Sequence, residues 1–112
     1  MKTIQMGVVA TAMVFGSGVA NAEVVNVKYR GPVPLDSFTC PPLKPSSFVK
    51  RICYDASHSY LIVRLKSTYY HYCEVDAGTV AMWQVAPSLG RFYNQKIKGG
   101  VFGCQNGVAP EY

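Results

Sequence analysis

Cys73 follows His71 by two positions in a stretch that alternates like a strand, so thiol and imidazole share one side of it. Such a pair suits a thiolate activated by a general base, which makes a thiol-dependent enzyme using Cys73 and His71 the catalytic reading to weigh. The cysteine pattern argues against it. Cys40, Cys53, Cys73 and Cys104 are an even set in a short chain that opens like an exported one. That points to two disulfides, each worth about 2–4 kcal/mol. No C-x-x-C and no H-x-x-x-H occurs, so neither a metal site nor dithiol redox chemistry is expected. His58 sits in the polar run Asp55–Ser59 and reads as a loop residue. Asp55, Glu74 and Asp76 do not form a pair for glycoside chemistry, and no serine lies in a nucleophile elbow. The chain reads as non-enzymatic and without a cofactor.

The elements that place these residues follow from periodicity. Val49–Tyr54, Tyr60–Lys66 and Thr68–Val75 alternate apolar and polar residues and are separated by two short polar breaks. Short connections make neighbouring strands hairpins, hence a three-stranded antiparallel meander with Tyr60–Lys66 in the middle. Ahead of it, Val25, Val27 and Tyr29 fall on one side of Glu23–Arg30, which offers a fourth, N-terminal edge strand. Gly31-Pro32-Val33-Pro34 is expected to end that strand. The prolines 41, 42 and 45 then predict a stiff connector tied down at Cys40. Asp76 caps a helix to Ala86, stopped by Pro87, and Ser88 caps a second to about Lys98. On the second, Leu89, Phe92, Tyr93 and Ile97 share the buried face, and Gly99-Gly100 ends it. The fold class is α+β, the two C-terminal helices packing on one face of the meander.

Export is read from the first 22 residues. Lys2 precedes an apolar run from Met6 to Ala20, and Ala20-Asn21-Ala22 is a small-x-small cleavage pattern. The run is shorter than the roughly 20 residues of a membrane span, and no second one follows. The expected mature chain, from Glu23, is therefore periplasmic or secreted, with no span left once the signal is removed. Of the eleven Lys and Arg, loss of Lys2 leaves ten against six Asp and Glu. That excess serves solubility and falls short of a nucleic-acid tract, since like charges form no block.

Strand geometry constrains the disulfides. With Ile52, Tyr54, Leu61, Val63, Leu65, Tyr70 and Tyr72 facing the helices, Cys53 and Cys73 project from the far side, on the two outer strands. Those strands lie about 9.5 Å apart, beyond the roughly 6.8 Å that a disulfide tolerates between Cα atoms. Two pairings remain, 40–53 with 73–104 or 40–73 with 53–104. Either one brings both ends of the mature chain onto the far face, which carries Ile62 and Tyr69 and is too apolar to stand bare.

From Ser46 to Cys104 the sequence resembles the KTSC domain, a module found at the C-terminus of some lysyl-tRNA synthetases and alone in bacterial proteins. The resemblance rests on Ser46-Ser47, Ile52-x-Tyr54-Asp55, Leu61-x-Val63, Tyr70-His71-Tyr72 with Val75, and the stretch Ser88-Leu89-Gly90-Arg91-Phe92-Tyr93-Asn94-Gln95-Lys96-Ile97. It implies a three-stranded sheet with C-terminal helices. It makes Tyr70, Tyr72, Ser88, Gly90, Phe92, Asn94 and Ile97 motif residues with mainly structural roles. Taken with the export signal, it divides the chain into a signal peptide (1–22), an N-terminal extension (23–45), the domain (46–104) and a loose tail (105–112). RNA binding has been suggested for the family, but an exported protein does not meet tRNA, so nucleic acid is disfavoured as a partner here.

A binding surface is expected on Arg91, Asn94, Gln95 and Lys98 of the second helix, with Lys50 and Arg51 near the start of the sheet. The reading that follows is an exported binding module for a protein or other envelope partner. Its alternatives are a binder of anionic polymer through the basic helix face and the thiol enzyme.

Overall fold

The computed structural model describes residues 23–106 and 108–112; the expected signal segment, 1–22, lies outside the described residues. Five strands form one mixed sheet: β1 (Val24–Val27), β2 (Gly31–Pro34), β3 (Val49–Asp55), β4 (Tyr60–Leu65) and β5 (Thr68–Tyr72). Their order is β2-β1-β5-β4-β3. The meander β3-β4-β5 is as expected, with Ile52 opposite Val63 and Leu61 opposite Tyr72. Lys66, at φ 55°, turns the tight β4–β5 connection.

The sheet is wider than a three-stranded meander, and one added strand is the proline-rich segment expected to end β1. Gly31–Pro34 pairs antiparallel with β1, Val25 opposite Val33 and Asn26 opposite Pro32. The prolines are tolerated because β2 is an edge strand, where a missing N–H leaves no ladder bond unmade. Tyr29, at φ 70°, and Gly31, at φ 102°, make the turn between them. β1 in turn runs parallel to β5 at one bridge, Val27 to Tyr69, and the Lys28 N–H donates to the Tyr69 carbonyl at 2.9 Å.

One face of the meander carries the larger core. Ile52, Leu61, Val63 and Val75 meet Val80 and Trp83 of α1 (Ala77–Gln84), then Leu89, Tyr93 and Ile97. A bulge between Val49 and Arg51 lets Val49 join Ile52 on this face, although strict alternation would put it on the other. Asp76 caps α1, its carboxylate accepting from the Thr79 N–H and hydroxyl at 3.0 and 2.8 Å. The helix stops at Gln84 instead of Ala86, because residues just ahead of Pro87 are pushed off helical geometry. The second helix is a single α turn, α2 (Leu89–Phe92), which continues as a π turn over Tyr93–Ile97 instead of as an α-helix to Lys98. The Lys98 N–H bonds the Tyr93 carbonyl at 2.8 Å. The buried spacing survives the change, since Tyr93 and Ile97 are both buried. Trp83 stacks on Phe92 and Tyr93, each at 6.0 Å between ring centres, and its N–H donates to the Leu89 carbonyl at 2.9 Å.

The other face carries a second core built from β1, β2 and the two disulfides. Val25, Val27, Val33 and Leu35 pack with Cys53, Tyr60, Ile62 and Cys73. The bridges are Cys40–Cys53 and Cys73–Cys104, with Cα separations of 4.2 and 4.9 Å. This selects the first of the two pairings that strand spacing leaves open. The Cys73 sulfur is therefore bonded to Cys104, which removes the thiolate that catalysis by Cys73 and His71 would need. Thr39 bonds both ways with Tyr54, laying the proline-rich connector along the outer edge of β3. β5 closes at Tyr72 instead of Val75, after which the Cys73 N–H donates to the Phe102 carbonyl at 2.8 Å. Residues 108–112, read from the sequence as part of a loose tail, lie across this face and place the Tyr112 hydroxyl 2.6 Å from Asp55 Oδ2.

Candidate functional site

Two segments far apart in sequence close on one groove. Residues 45–48 form one wall, and the α2 entry and π turn form the other. Ser46 is fixed because its hydroxyl accepts from the Val49 N–H at 3.2 Å, starting β3, while its carbonyl takes the Lys50 ammonium at 2.9 Å. Ser88 is fixed because its hydroxyl accepts from the Arg91 N–H at 3.1 Å, capping α2. Gly90 sets how closely the walls approach. A Cβ there would stand 2.6 Å from Cε1 of the Phe48 ring, so any larger residue would push that ring away. Phe48 itself lies edge-on to Tyr93 at 6.1 Å, which ties the first wall to the helix-side core.

The groove has a volume of about 570 Å³. Its floor is the Phe48, Leu89 and Gly90 contact, and its rim presents Ser46, Ser47, Asn94 and Gln95. Arg91 is the one charged side chain among its lining residues, and no carboxylate lines it. Hydroxyls, two carboxamides and one guanidinium can bind a polar segment and pair one anionic group. They do not assemble a nucleophile with a base.

The structure sorts the sequence-derived site residues. Arg91, Asn94 and Gln95 come together in the groove. Lys98 is exposed at the end of the π turn and does not line it. Lys50 borders a neighbouring hollow with Leu43, Lys44 and Pro45, its ammonium held by Ser46. Arg51 is not available to a partner on this surface. It turns to the far side and binds both oxygens of Glu23, at 2.6 and 2.8 Å. That hydrogen bonding lowers the Glu23 carboxyl and raises the Arg51 guanidinium. Of the motif residues, Ser88 and Gly90 shape the groove, while Phe92 and Ile97 pack beneath it. Tyr72 packs against the helix-side core, and its hydroxyl lies 2.5 Å from that of Tyr93. Burial first, then the Tyr93 hydroxyl, pushes the Tyr72 phenol far up, so it stays a neutral spacer.

Tyr70 departs from expectation. It is half-buried and outside the helix-side core, and it lines a cleft of about 430 Å³ with Tyr29, His71 and Gln105. The Lys28 ammonium stands 5.7 Å from its ring. Strand parity put it on the correct side, but α1 and the π turn do not reach over it.

Sequence reasoning missed Phe48 and Pro87 as lining residues, although a glycine facing an aromatic is the signal that could have paired Gly90 with Phe48. It missed entirely a polar chain on the far face. There Arg30 donates to the Tyr60 hydroxyl at 2.9 Å, leaving the Tyr60 proton for His71 Nδ1 at 2.7 Å. Burial, and then the Arg30 charge, lowers His71 below its ordinary value, which matches an imidazole nitrogen that accepts. No local pattern announces contacts so distant in sequence.

A small α+β module with a polar groove between a serine-bearing loop and a short C-terminal helix is what fold and site define. The chain belongs to the KTSC domain family, whose model matches residues 45–102. No curated protein and no solved structure matches the chain.

Proposed function

We propose that the protein is a non-enzymatic binding module acting outside the cytoplasm, and that it takes a protein partner in the groove between residues 45–48 and 87–95. The observation that supports this most is convergence. The serine pair before β3 and the Ser88–Gln95 part of the C-terminal stretch, which both carry the family resemblance, line a single groove, while Phe92, Tyr93 and Ile97 of that stretch go to the core. The groove's polar rim and lone guanidinium suit an extended peptide segment with one acidic group. The π turn adds support, since such turns recur at functional sites and here it carries Asn94 and Gln95. Two disulfides fit work in an oxidising compartment.

The test is affinity capture from an envelope extract with the mature chain and with a variant carrying Arg91→Ala and Asn94→Ala. Circular dichroism first establishes that the two fold alike. A protein held by the parent and lost from the variant is the expected result. Partners retained equally by both would overturn the groove as the site. Binding that collapses steeply with salt would point to an anionic polymer instead.

A further inference from the structure

The far face holds a second recognition arrangement, independent of the groove. Asp55, 1% exposed, ends β3 with a carboxylate surrounded by donors. Oδ1 accepts from the Ser57 N–H at 3.1 Å and from its hydroxyl at 2.7 Å. Oδ2 accepts from the Ser37 hydroxyl at 3.1 Å and faces His58 Nδ1 at 2.7 Å. Those partners are near neighbours in sequence or belong to the strapped connector. The last donor is the Tyr112 hydroxyl, at 2.6 Å, from the far end of the described chain.

The Tyr112 ring is caged as well as bonded. Phe38, His58 and Tyr60 lie 5.4, 5.6 and 6.2 Å from it between ring centres. The Arg30 guanidinium stands 5.3 Å from the Tyr60 ring and 5.5 Å from the Tyr112 ring. Its second nitrogen donates to the Pro110 carbonyl. A ring cage, a carboxylate reading a phenol and an arginine reading the main chain two residues earlier are the parts of a peptide-binding site. The segment held there joins no strand or helix of the fold, although Ala109 packs against the far-face core. Residues 108–112 form no strand or helix, Val108 is 91% exposed, and Tyr112 remains 44% exposed.

We infer that the Asp55 cradle is a binding site for a Pro-x-Tyr peptide segment of a partner protein, and that Pro110–Tyr112 occupies it in cis. The occupant seen in the structure states the chemistry: a tyrosine whose hydroxyl meets Asp55, two residues after a carbonyl that meets Arg30. A short tether gives the internal segment an effective concentration of about millimolar, so a partner must either exceed that or meet a chain whose own tyrosine has been displaced.

The experiment uses the full mature chain with both disulfides formed. Tyr112→Ala empties the ring cage and leaves the rest in place. A synthetic peptide of residues 108–112, blocked at both ends, is titrated by NMR into this variant and into the unaltered chain. Saturable binding to Tyr112→Ala, with shifts at Ser57, His58 and Tyr60, is expected, along with at least tenfold weaker binding to the unaltered chain. The same peptide with phenylalanine in place of tyrosine should bind at least tenfold more weakly, because it leaves the buried carboxylate one donor short. Equal binding of the two peptides would overturn the inference. So would absence of binding to a Tyr112→Ala chain whose spectrum remains dispersed. An Arg30→Lys variant guards against a misfolded result: it should keep the fold and weaken the peptide, and unchanged affinity there would also overturn the inference. Sedimentation of the unaltered chain as a tail-exchanged dimer would overturn the cis assignment.

Discussion

The two faces of the sheet are held by different means. The helix side is an apolar cluster centred on Trp83, drawn from residues whose periodicity marks them in the sequence. The far side combines a smaller apolar cluster with two sulfur bridges, one bidentate ion pair and a carboxylate held by five hydrogen bonds from four residues. Dispersion and area stabilise the first, which should therefore tolerate changes of pH. Connectivity and charge stabilise the second, so conditions that leave the helix side untouched should loosen it. The candidate groove rests on the first kind of support, and the Asp55 cradle on the second.

The sharpest way to break the helix side is Trp83→Ala, which should cost about 3–5 kcal/mol in urea unfolding. Against the few kcal/mol of margin usual for a domain this small, that is enough to leave much of the chain unfolded at 37 °C. On the far side, replacing Cys40 and Cys53 together by alanine should cost about 2–4 kcal/mol by the same measurement. The variant should keep the near-ultraviolet signal of Trp83, because the helix-side core does not include that bridge.

Acid should separate the two faces. Burial alone would raise the Asp55 carboxyl, but hydrogen bonds from Tyr112, Ser57, His58 and Ser37 outweigh it and hold the group below the ordinary carboxylate range. A depressed folded value means that the stabilisation is complete above the unfolded pKa, about 4, and is lost as pH falls through the folded one. Asp55→Asn should therefore cost about 2 kcal/mol at pH 7. The gap between variant and parent in thermal melts should narrow as pH drops below 4. The smallest effect is expected at the exposed ion pair: Glu23→Gln should change stability by less than about 1 kcal/mol, and less still at high salt.

Legibility in the sequence followed the same division. The meander, both helix caps and the buried positions Leu89, Tyr93 and Ile97 are written in local spacing, which one window of residues contains. Excluding Cys53–Cys73 needed only the distance between strands. β2 was unreadable because Pro32 and Pro34 forbid a central strand but not an edge one, and edge position is a property of the whole sheet. The π turn is silent because Leu89, Phe92, Tyr93 and Ile97 suit a regular helix equally well. Of the groove, Arg91, Asn94 and Gln95 were legible as an exposed helix face, whereas Phe48 and the opposing loop were not. The Asp55 cradle draws on Arg30, Ser37, Tyr60 and Tyr112, and no pattern links positions so scattered.

The order of the sulfur bridges has a consequence for how the molecule is made. The first cysteine along the chain joins the second, and the third joins the fourth, so no bridge encloses or crosses the other. A chain oxidised from its N-terminal side as it appears would pair each thiol with the next one to arrive. The native arrangement is then also the first available, so an oxidant alone should suffice to form it.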